Sequence, residues 1–201
     1  MMRWILPLLF LTLPLGAEDT EKPLEKAAPW KTEDYGRFTS ETFRLHPPVL
    51  RVMQRDRLDL GLLSAAIFYL TNAEREKHQL PLFQTSLALR ACAYGHSQDM
   101  ATENFFAHEN PFESEKRTPW QRMDAKGVKS GERAENIAMR TSNGLTYLAF
   151  AEEIVKLWMN SKSHRATILN PNLLFLGCGV SPCTCAKFHI YATQNFASVV
   201  P

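Results

Sequence analysis

The sequence predicts an α+β fold in which helices pack against an antiparallel sheet. Apolar residues recur at three- and four-residue spacing in several segments between residues 56 and 160, which is the period of helices that bury one face. Two later segments, Leu173 to Val180 and Lys187 to Phe196, are rich in strand formers, and the turn sequence Ser181-Pro182 lies between them. Strands joined by two residues must run antiparallel. The sequence therefore predicts a mixed α and β sandwich and not a doubly wound parallel sheet.

Three amphipathic helices and one short helix are predicted. The first runs from Asp56 to about His78, and the second begins at a cap on Thr85 or Ser86 and ends near Asn104. A short helix over 119–126 starts at Thr118-Pro119, because a capping threonine precedes proline at the first helical position, and Gly127 ends it. The last helix covers 146–160. Its buried face carries Tyr147, Phe150, Ile154 and Trp158.

A further strand is predicted between the short helix and the last helix. Two sets of residues alternate there, Ala134, Asn136 and Ala138 in one set and Glu135, Ile137 and Met139 in the other. Side chains alternate with a period of two along a strand, so this pattern indicates a short strand or an extended segment.

The chain is predicted to hold one domain, residues 56–201, behind two N-terminal segments. At 201 residues with 45% hydrophobic residues, it is long enough for one well-buried core. Residues 18–55 mix charges with four prolines and show no sustained period, so we expect an extended or partly disordered lead-in.

Residues 1–17 have the order of a secretory signal peptide. Arg3 precedes an apolar run from Trp4 to Leu15, and the small residues Gly16-Ala17 follow it. We expect cleavage after Ala17 and a secreted or periplasmic mature protein. The apolar run is only about a dozen residues long and holds two prolines, whereas a spanning helix needs ~20 residues. An uncleaved anchor is the less favoured alternative.

Four cysteines in an exported chain allow two disulfides. If Ser181-Pro182 were a two-residue hairpin loop, Cys178 would face Cys185 across the strands, which would leave Cys183 for Cys92. The other connectivities stay open. Reduced buried thiols are expected only if the signal peptide is misread, and a zinc site is disfavoured because no Cys-x-x-Cys pair occurs.

The charge balance argues against a nucleic-acid binder. The net charge of +2 becomes +1 when residues 1–17, which contain Arg3 and no acid, are removed. The sequence also has no basic run interleaved with aromatic residues. We expect no nucleic-acid partner, no stable membrane span and a monomeric protein.

Seven short motifs occur in the order in which one known family carries them. They are Leu70-Thr71-Asn72 with Arg75, Ala93 with His96-Ser97-Gln98-Asp99-Met100, Phe105-Phe106-Ala107-His108, Arg122 with Gly127, Ala134-Glu135-Asn136-Ile137-Ala138, Trp158-Met159-Asn160-Ser161 with His164-Arg165, and Thr193-Gln194-Asn195-Phe196. Over about residues 60–198 the sequence resembles bacterial members of the CAP superfamily, which comprises the cysteine-rich secretory proteins, antigen 5 and the plant pathogenesis-related proteins. The resemblance implies a three-layer α-β-α sandwich with a central antiparallel sheet and an open groove.

The resemblance also implies a site in that groove, where the family places two histidines and two acidic residues that bind a divalent cation in some members. His108 matches the first histidine, Glu135 the glutamate of the Gly-Glu-Asn motif, and His164 the second histidine. Ala134 replaces the glycine before Glu135, and Ser161 stands at the second acidic position, as in many bacterial members. We therefore expect a groove formed by four of these residues, His108, Glu135, Ser161 and His164. Three of them, His108, Glu135 and His164, are the expected ligands of a weakly bound divalent cation such as zinc.

Two functions of different classes remain open. The favoured one is an exported binding protein whose groove takes a lipid, a peptide or a wall fragment, with a divalent cation as an optional ligand and no required cofactor. The alternative is a secreted hydrolase with Ser161 as nucleophile, His164 or His108 as base and Glu135 as the orienting acid, or with a metal in the groove. Ser161 does not lie on a Gly-x-Ser-x-Gly elbow, so the binding protein is preferred. His96 is expected to have a packed or surface role.

Overall fold

The structure is a computed structural model that describes residues 30–142 and 144–201. Short 3₁₀ turns and ten regular elements follow one another along this part of the chain. The elements are α1 (Ser40–Arg44), α2 (Leu60–Lys77), β1 (Gln84–Thr85), α3 (Leu87–Glu103), α4 (Pro119–Asp124), β2 (Arg133–Thr141), α5 (Tyr147–Asn160), α6 (Lys162–Ile168), β3 (Phe175–Pro182) and β4 (His189–Ala197).

The four strands form one sheet in the order β1-β3-β4-β2, so β2 is an edge strand. The β3/β4 and β2/β4 pairs are antiparallel, as the sequence predicts, whereas β1 pairs with β3 in parallel over two residues. Glu135 lies opposite Asn195 in the β2/β4 register. This register decides which polar side chains meet at the site described below.

Helices cover both faces of the sheet, which makes the predicted three-layer α-β-α sandwich. On one face α3 lies directly on β3, because Gly177 and Gly179 have no side chain there. A Cβ atom on Gly177 would come within 2.1 Å of the Leu89 carbonyl carbon, and one on Gly179 within 2.1 Å of the Tyr94 nitrogen. On the other face α2 and α5 bury the main core against the sheet.

Capping residues at the helix ends set the direction of the loops that carry the candidate site residues. Ser86, one of the two predicted caps, accepts a hydrogen bond from the Leu89 amide and starts α3. Asn104 ends α3 in the left-handed conformation at φ 54°, which turns the chain sharply toward His108. Thr118 and Gln121 form a capping box at the start of α4, which holds Arg122 in place.

The segment before α2 differs from the expected extended or partly disordered lead-in. Residues 30–57 form short helical turns that pack on α2. Phe43 and Val49 are fully buried, and the Trp30 ring packs edge-on against Phe43. Sequence patterns do not reveal this packing, because the apolar residues of the segment anchor irregular turns and do not recur at helical or strand spacing. The expected signal peptide and residues 18–29 lie outside the described residues.

The cysteines pair differently from the hairpin interpretation. Cys183 and Cys185 form a disulfide with each other, and Cys92 and Cys178 are buried free thiols. The hairpin interpretation is wrong because β3 extends through Pro182 and a loop of 183–188 precedes β4, so Cys178 lies opposite Gln194. Burial raises the pKa of the Cys92 thiol to about 12, which keeps it protonated and unreactive.

Trp158 is predicted to be the main anchor of α5. It is 1% exposed, and its indole Nε1 donates to the Ile137 carbonyl at 3.0 Å. Trp158→Ala should lower the free energy of unfolding in urea by ~3–5 kcal/mol, the range for truncating a buried aromatic side chain. Trp120→Ala is the matched control, because that ring is 45% exposed and its loss should change stability by less than ~1 kcal/mol. Similar losses in the two variants would contradict this assignment.

Candidate functional site

A buried carboxylate, Glu135, organises the candidate site. Its side chain is 2% exposed and points from β2 toward the α3 layer. Its Oε1 lies 2.9 Å from His108 Nδ1, and Arg122 Nη2 lies 3.0 Å from Oε1 and 2.9 Å from Oε2. Asn195 Nδ2 donates to Oε2 at 3.0 Å. Both carboxylate oxygens are therefore engaged by protein donors.

Arg122 joins three parts of the chain at this carboxylate. Its guanidinium is 4% exposed and donates to the carbonyls of Lys116 and Arg117 through Nη1, at 3.1 and 2.9 Å. Through Nη2 it donates to the carbonyl of His108 at 2.8 Å. One side chain from α4 thus fixes the loop that carries His108 and neutralises Glu135 on β2.

His96 packs beneath the carboxylate. The residue is fully buried, and its Nε2 lies 3.0 Å from the Ala107 carbonyl and 3.8 Å from Glu135 Oε1. Burial lowers the pKa of His96 to about 4, although the Glu135 charge opposes this shift. His96 is therefore a neutral side chain that donates to Ala107 at neutral pH. Of the two roles expected for His96, packed or surface, the packed one is correct, but the sequence did not indicate that it packs against the site.

The environment keeps Glu135 ionised. Burial alone would raise its pKa, but the hydrogen bond from His108 and the charge of Arg122 outweigh that effect, with smaller help from His96 and Asn195. The pKa of Glu135 consequently lies below its ordinary value of 4.5. At neutral pH the buried Glu135 carboxylate is therefore ionised, and its charge is balanced by Arg122 and by hydrogen bonds from His108 and Asn195.

This carboxylate sets the tautomer of His108. The Nδ1–H donates to Glu135, so in the neutral ring Nε2 is the nitrogen with a free lone pair. The His108 side chain is 46% exposed, whereas the carboxylate that orients it is 2% exposed. The arrangement thus presents an oriented imidazole to solvent, which can accept a hydrogen bond or bind a cation.

His164 and Ser161 come from the opposite helical layer. His164 is partly exposed on α6, and its carbonyl accepts from Asn136 Nδ2 at 3.3 Å. Burial, followed by the charge of His108, lowers the pKa of His164. Ser161 lies where α5 meets α6, and its Oγ is 3.3 Å from Ser163 Oγ. The structure therefore joins His108 and Glu135 directly, while the hydroxyl of Ser161 has a serine partner and not an imidazole.

Comparison with known proteins identifies the fold. The sequence model of the CAP family, described as the cysteine-rich secretory protein family, matches residues 68–196, which is more than half of the chain. The chain belongs to the CAP family. YkwD of Bacillus subtilis (strain 168) is 39% identical to the CAP domain of this chain over 110 residues, which are 55% of this chain and 39% of YkwD.

Two solved bacterial structures are similar to this chain. An extracellular protein containing an SCP domain from Bacillus anthracis str. Ames is 30% identical with a TM-score of 0.57, over 72% of this chain and 44% of that one. An outer surface protein from Borrelia burgdorferi shares the fold at 17% identity and a TM-score of 0.54, over 73% of this chain and 96% of that one. The chain spans less than half the length of YkwD and of the Bacillus anthracis protein. Within residues 30–142 and 144–201, no helix of the CAP domain is long and apolar enough to cross a bilayer.

The hydrogen bonds that Glu135 accepts decide which role it can have in a cation site of this CAP domain. Among the described residues, no group of three or more His, Cys, Asp and Glu side chains is arranged to hold a metal ion. Glu135 does not fit as a direct ligand, because its oxygens already accept from Arg122, His108 and Asn195. It fits as the hydrogen-bond partner that orients His108.

Sequence reasoning missed two members of the site, Arg122 and Asn195. Both lie in the quoted family motifs, but nothing local to either residue indicates contact with Glu135. Asn195 reaches the carboxylate only through the β2/β4 register, and Arg122 reaches it across 13 residues from a separate helix. The one sequence signal for an inward-pointing acid is that Glu135 shares its strand face with the apolar residues Ile137 and Met139.

Removing Arg122 should destabilise the fold strongly. Arg122→Met would leave the Glu135 carboxylate buried without its cation, and losing one partner of a buried pair costs ~3–5 kcal/mol. Arg117→Met is the control, because Arg117 pairs with Glu109 on the surface and exposed pairs contribute at most ~1 kcal/mol. Urea unfolding at pH 7 measures both variants. A loss for Arg122→Met no larger than that for Arg117→Met would contradict the structural role of the pair.

His96 should make the fold sensitive to mild acid. Because the folded pKa of about 4 lies below the ordinary 6.5, the unfolded chain takes up a proton first as pH falls. Stability should therefore drop between pH 6.5 and 4, by on the order of 3 kcal/mol. Glu135 adds a further loss below its ordinary 4.5, since its folded pKa is also lowered. When the free energy of unfolding in urea is measured across this pH range, it should fall less steeply with decreasing pH for His96→Gln than for the native chain. Identical pH dependences would refute the assignment.

Proposed function

We propose that this chain is an exported CAP-domain binding protein whose groove recognises its ligand through His108, with His164 on the opposite wall. The observation that carries the proposal is the contrast within the His108–Glu135 pair. The carboxylate is buried and fully bonded, while the imidazole that it orients is half exposed. Such a pair is built to present a group of fixed geometry to a ligand.

The surroundings of His108 favour a ligand with an apolar part. Phe106 is 49% exposed two residues before His108, and its ring centroid lies 6.3 Å from that of Tyr191. Met139 is 37% exposed and lies opposite Tyr191 in the β2/β4 register. Apolar side chains beside an oriented imidazole suit a lipid, a peptide or a wall fragment better than a small ion alone.

A weakly bound divalent cation is a second candidate ligand. Burial lowers the pKa of His164, so this imidazole is neutral and has a free lone pair at neutral pH. His108 and His164 would supply two nitrogen ligands, and water or the ligand itself would supply the others. Two neutral ligands do not offset the charge of the ion, so we expect weak binding that is lost as pH falls and His164 takes up a proton.

Secretion or periplasmic location is part of the proposal. The apolar N-terminal segment supports it, and so does the similarity to a Bacillus anthracis protein that is described as extracellular. The hydrolase alternative would require the Ser161 hydroxyl to leave Ser163 and approach an imidazole.

Binding to isotope-labelled protein tests the proposed function. Zinc chloride, dodecanoate, a free-acid pentapeptide of alternating valine and threonine, and muramyl dipeptide would be titrated separately while NMR signals of His108, Glu135 and His164 are followed. At least one organic probe should shift these signals, and His108→Ala should weaken its binding roughly tenfold. Zinc binding by calorimetry should weaken in His164→Ala and between pH 7 and pH 5.5.

One control variant and two contradicting outcomes delimit this proposal. His78→Ala is the matched control, because that exposed side chain bonds the Glu74 carbonyl on α2 away from the groove. It should bind every probe like the native chain. If no organic probe shifts the groove signals, the binding function is wrong. Ester or peptide turnover that disappears in Ser161→Ala would establish the hydrolase instead.

A further inference from the structure

The free edge of β2 lies beside His108, and its hydrogen-bond pattern can be assigned residue by residue. The Ser198 amide donates to the Glu132 carbonyl, and the Ser142 amide donates to the Phe188 carbonyl. In an antiparallel ladder these two bonds fix the alternation between them. The amides and carbonyls of the even-numbered residues of β2 therefore bond to β4. Those of Glu135, Ile137 and Met139 point outward from the edge of the sheet, away from β4.

The edge is open at Glu135. This residue is partly exposed as a whole although its side chain is 2% exposed, so its accessible surface belongs to the main chain. Further along the edge, the Ile137 carbonyl accepts from the Trp158 indole. Within the described part of the chain, the outward amides of Glu135, Ile137 and Met139 have no hydrogen-bond acceptor.

This strand also lacks two features that commonly protect an edge from pairing. Its nine residues include no proline and no lysine. The arginines near its ends are held in ion pairs, Arg133 with Asp124 and Arg140 with Glu153. Between them, in the described part of the chain, the amide and carbonyl of Glu135 and the amides of Ile137 and Met139 have no protein partner, while the Ile137 carbonyl is occupied by Trp158.

We propose that this edge binds an extended peptide by strand addition, and this inference rests on the proposed binding function. The peptide main chain would pair with the amide and carbonyl of Glu135 and with the amides of Ile137 and Met139, in the space between His108 and α6. Alternating donors and acceptors at strand spacing match a peptide backbone, whereas an acyl chain offers none.

The charges around the edge select a peptide that carries a carboxylate. Helix α6, Lys162–Ile168, contains a lysine, a histidine and an arginine and no acid. The acid on the sheet beside it, Glu135, is neutralised by Arg122. The groove therefore complements an anionic group, such as the C-terminal carboxylate or an acidic side chain of the bound peptide.

Amide hydrogen exchange tests strand addition directly. The probe is the acetylated pentapeptide of alternating valine and threonine with a free carboxylate, and the control is the same peptide N-methylated at alternate residues. The free-acid probe should slow exchange of the Glu135 and Ile137 amides roughly tenfold. The Ala134 and Asn136 amides, which already pair with β4, should not change. N-methylation should abolish the protection, and amidation of the carboxylate should weaken binding several-fold.

A pair of variants isolates the edge amide from the side chain. Met139→Pro removes one outward amide, and Met139→Ala removes a similar side chain but keeps the amide. The proline variant should bind the probe several-fold more weakly than the alanine variant. Binding that is unaffected by N-methylation, with an unprotected Glu135 amide, would overturn strand addition while leaving the groove function intact. Groove binding by dodecanoate but not by the peptide would do the same, and no binding by any probe would overturn both.

Discussion

The buried ion pair between Arg122 and Glu135 is the interaction on which the site and its surroundings depend. Removing a carboxylate from water costs several kcal/mol, roughly, unless donors replace the lost hydration. Arg122, His108 and Asn195 supply those donors from three different elements. Because Arg122 also bonds main-chain carbonyls of the 108–117 segment, the same guanidinium that stabilises the charge positions the loop. The conformation of the loop and the charge balance of the site therefore both depend on Arg122.

A second buried arginine shows the same physics without an acid. Arg75 on α2 is fully buried, and its guanidinium donates to the carbonyls of Pro81, Ile168, Asn170 and Leu173. These bonds join the end of α2 to the end of α6 and to the approach to β3. Carbonyl dipoles compensate the charge here, so Arg75 is a structural link. Arg122 differs because its partner is the Glu135 carboxylate, which also accepts a hydrogen bond from the exposed His108 and orients it.

The site lies where the sheet ends, and this position explains its chemistry. His108 belongs to the loop after α3 and His164 to α6, so the two walls of the proposed groove come from opposite layers of the sandwich. Between them runs an edge strand whose outward main chain, along part of its length, has no partner among residues 30–142 and 144–201. An oriented polar group, exposed apolar side chains and an open strand edge are together the elements of the recognition surface proposed above. The buried carboxylate beneath them makes that surface rigid.

The sequence by itself determined the local elements and, through its motifs, the family. The helical period predicted α5 over 146–160 against the observed Tyr147–Asn160, Ser86 was one of two predicted caps of α3, and alternation around Glu135 predicted β2. These features depend on neighbours in sequence. Only the tertiary structure decided that Glu135 meets Asn195 and Arg122, that Cys183 pairs with Cys185, and that the segment before α2 packs into the core. Each of these outcomes depends on strand register or loop path, which residues distant in sequence fix jointly and no local pattern encodes.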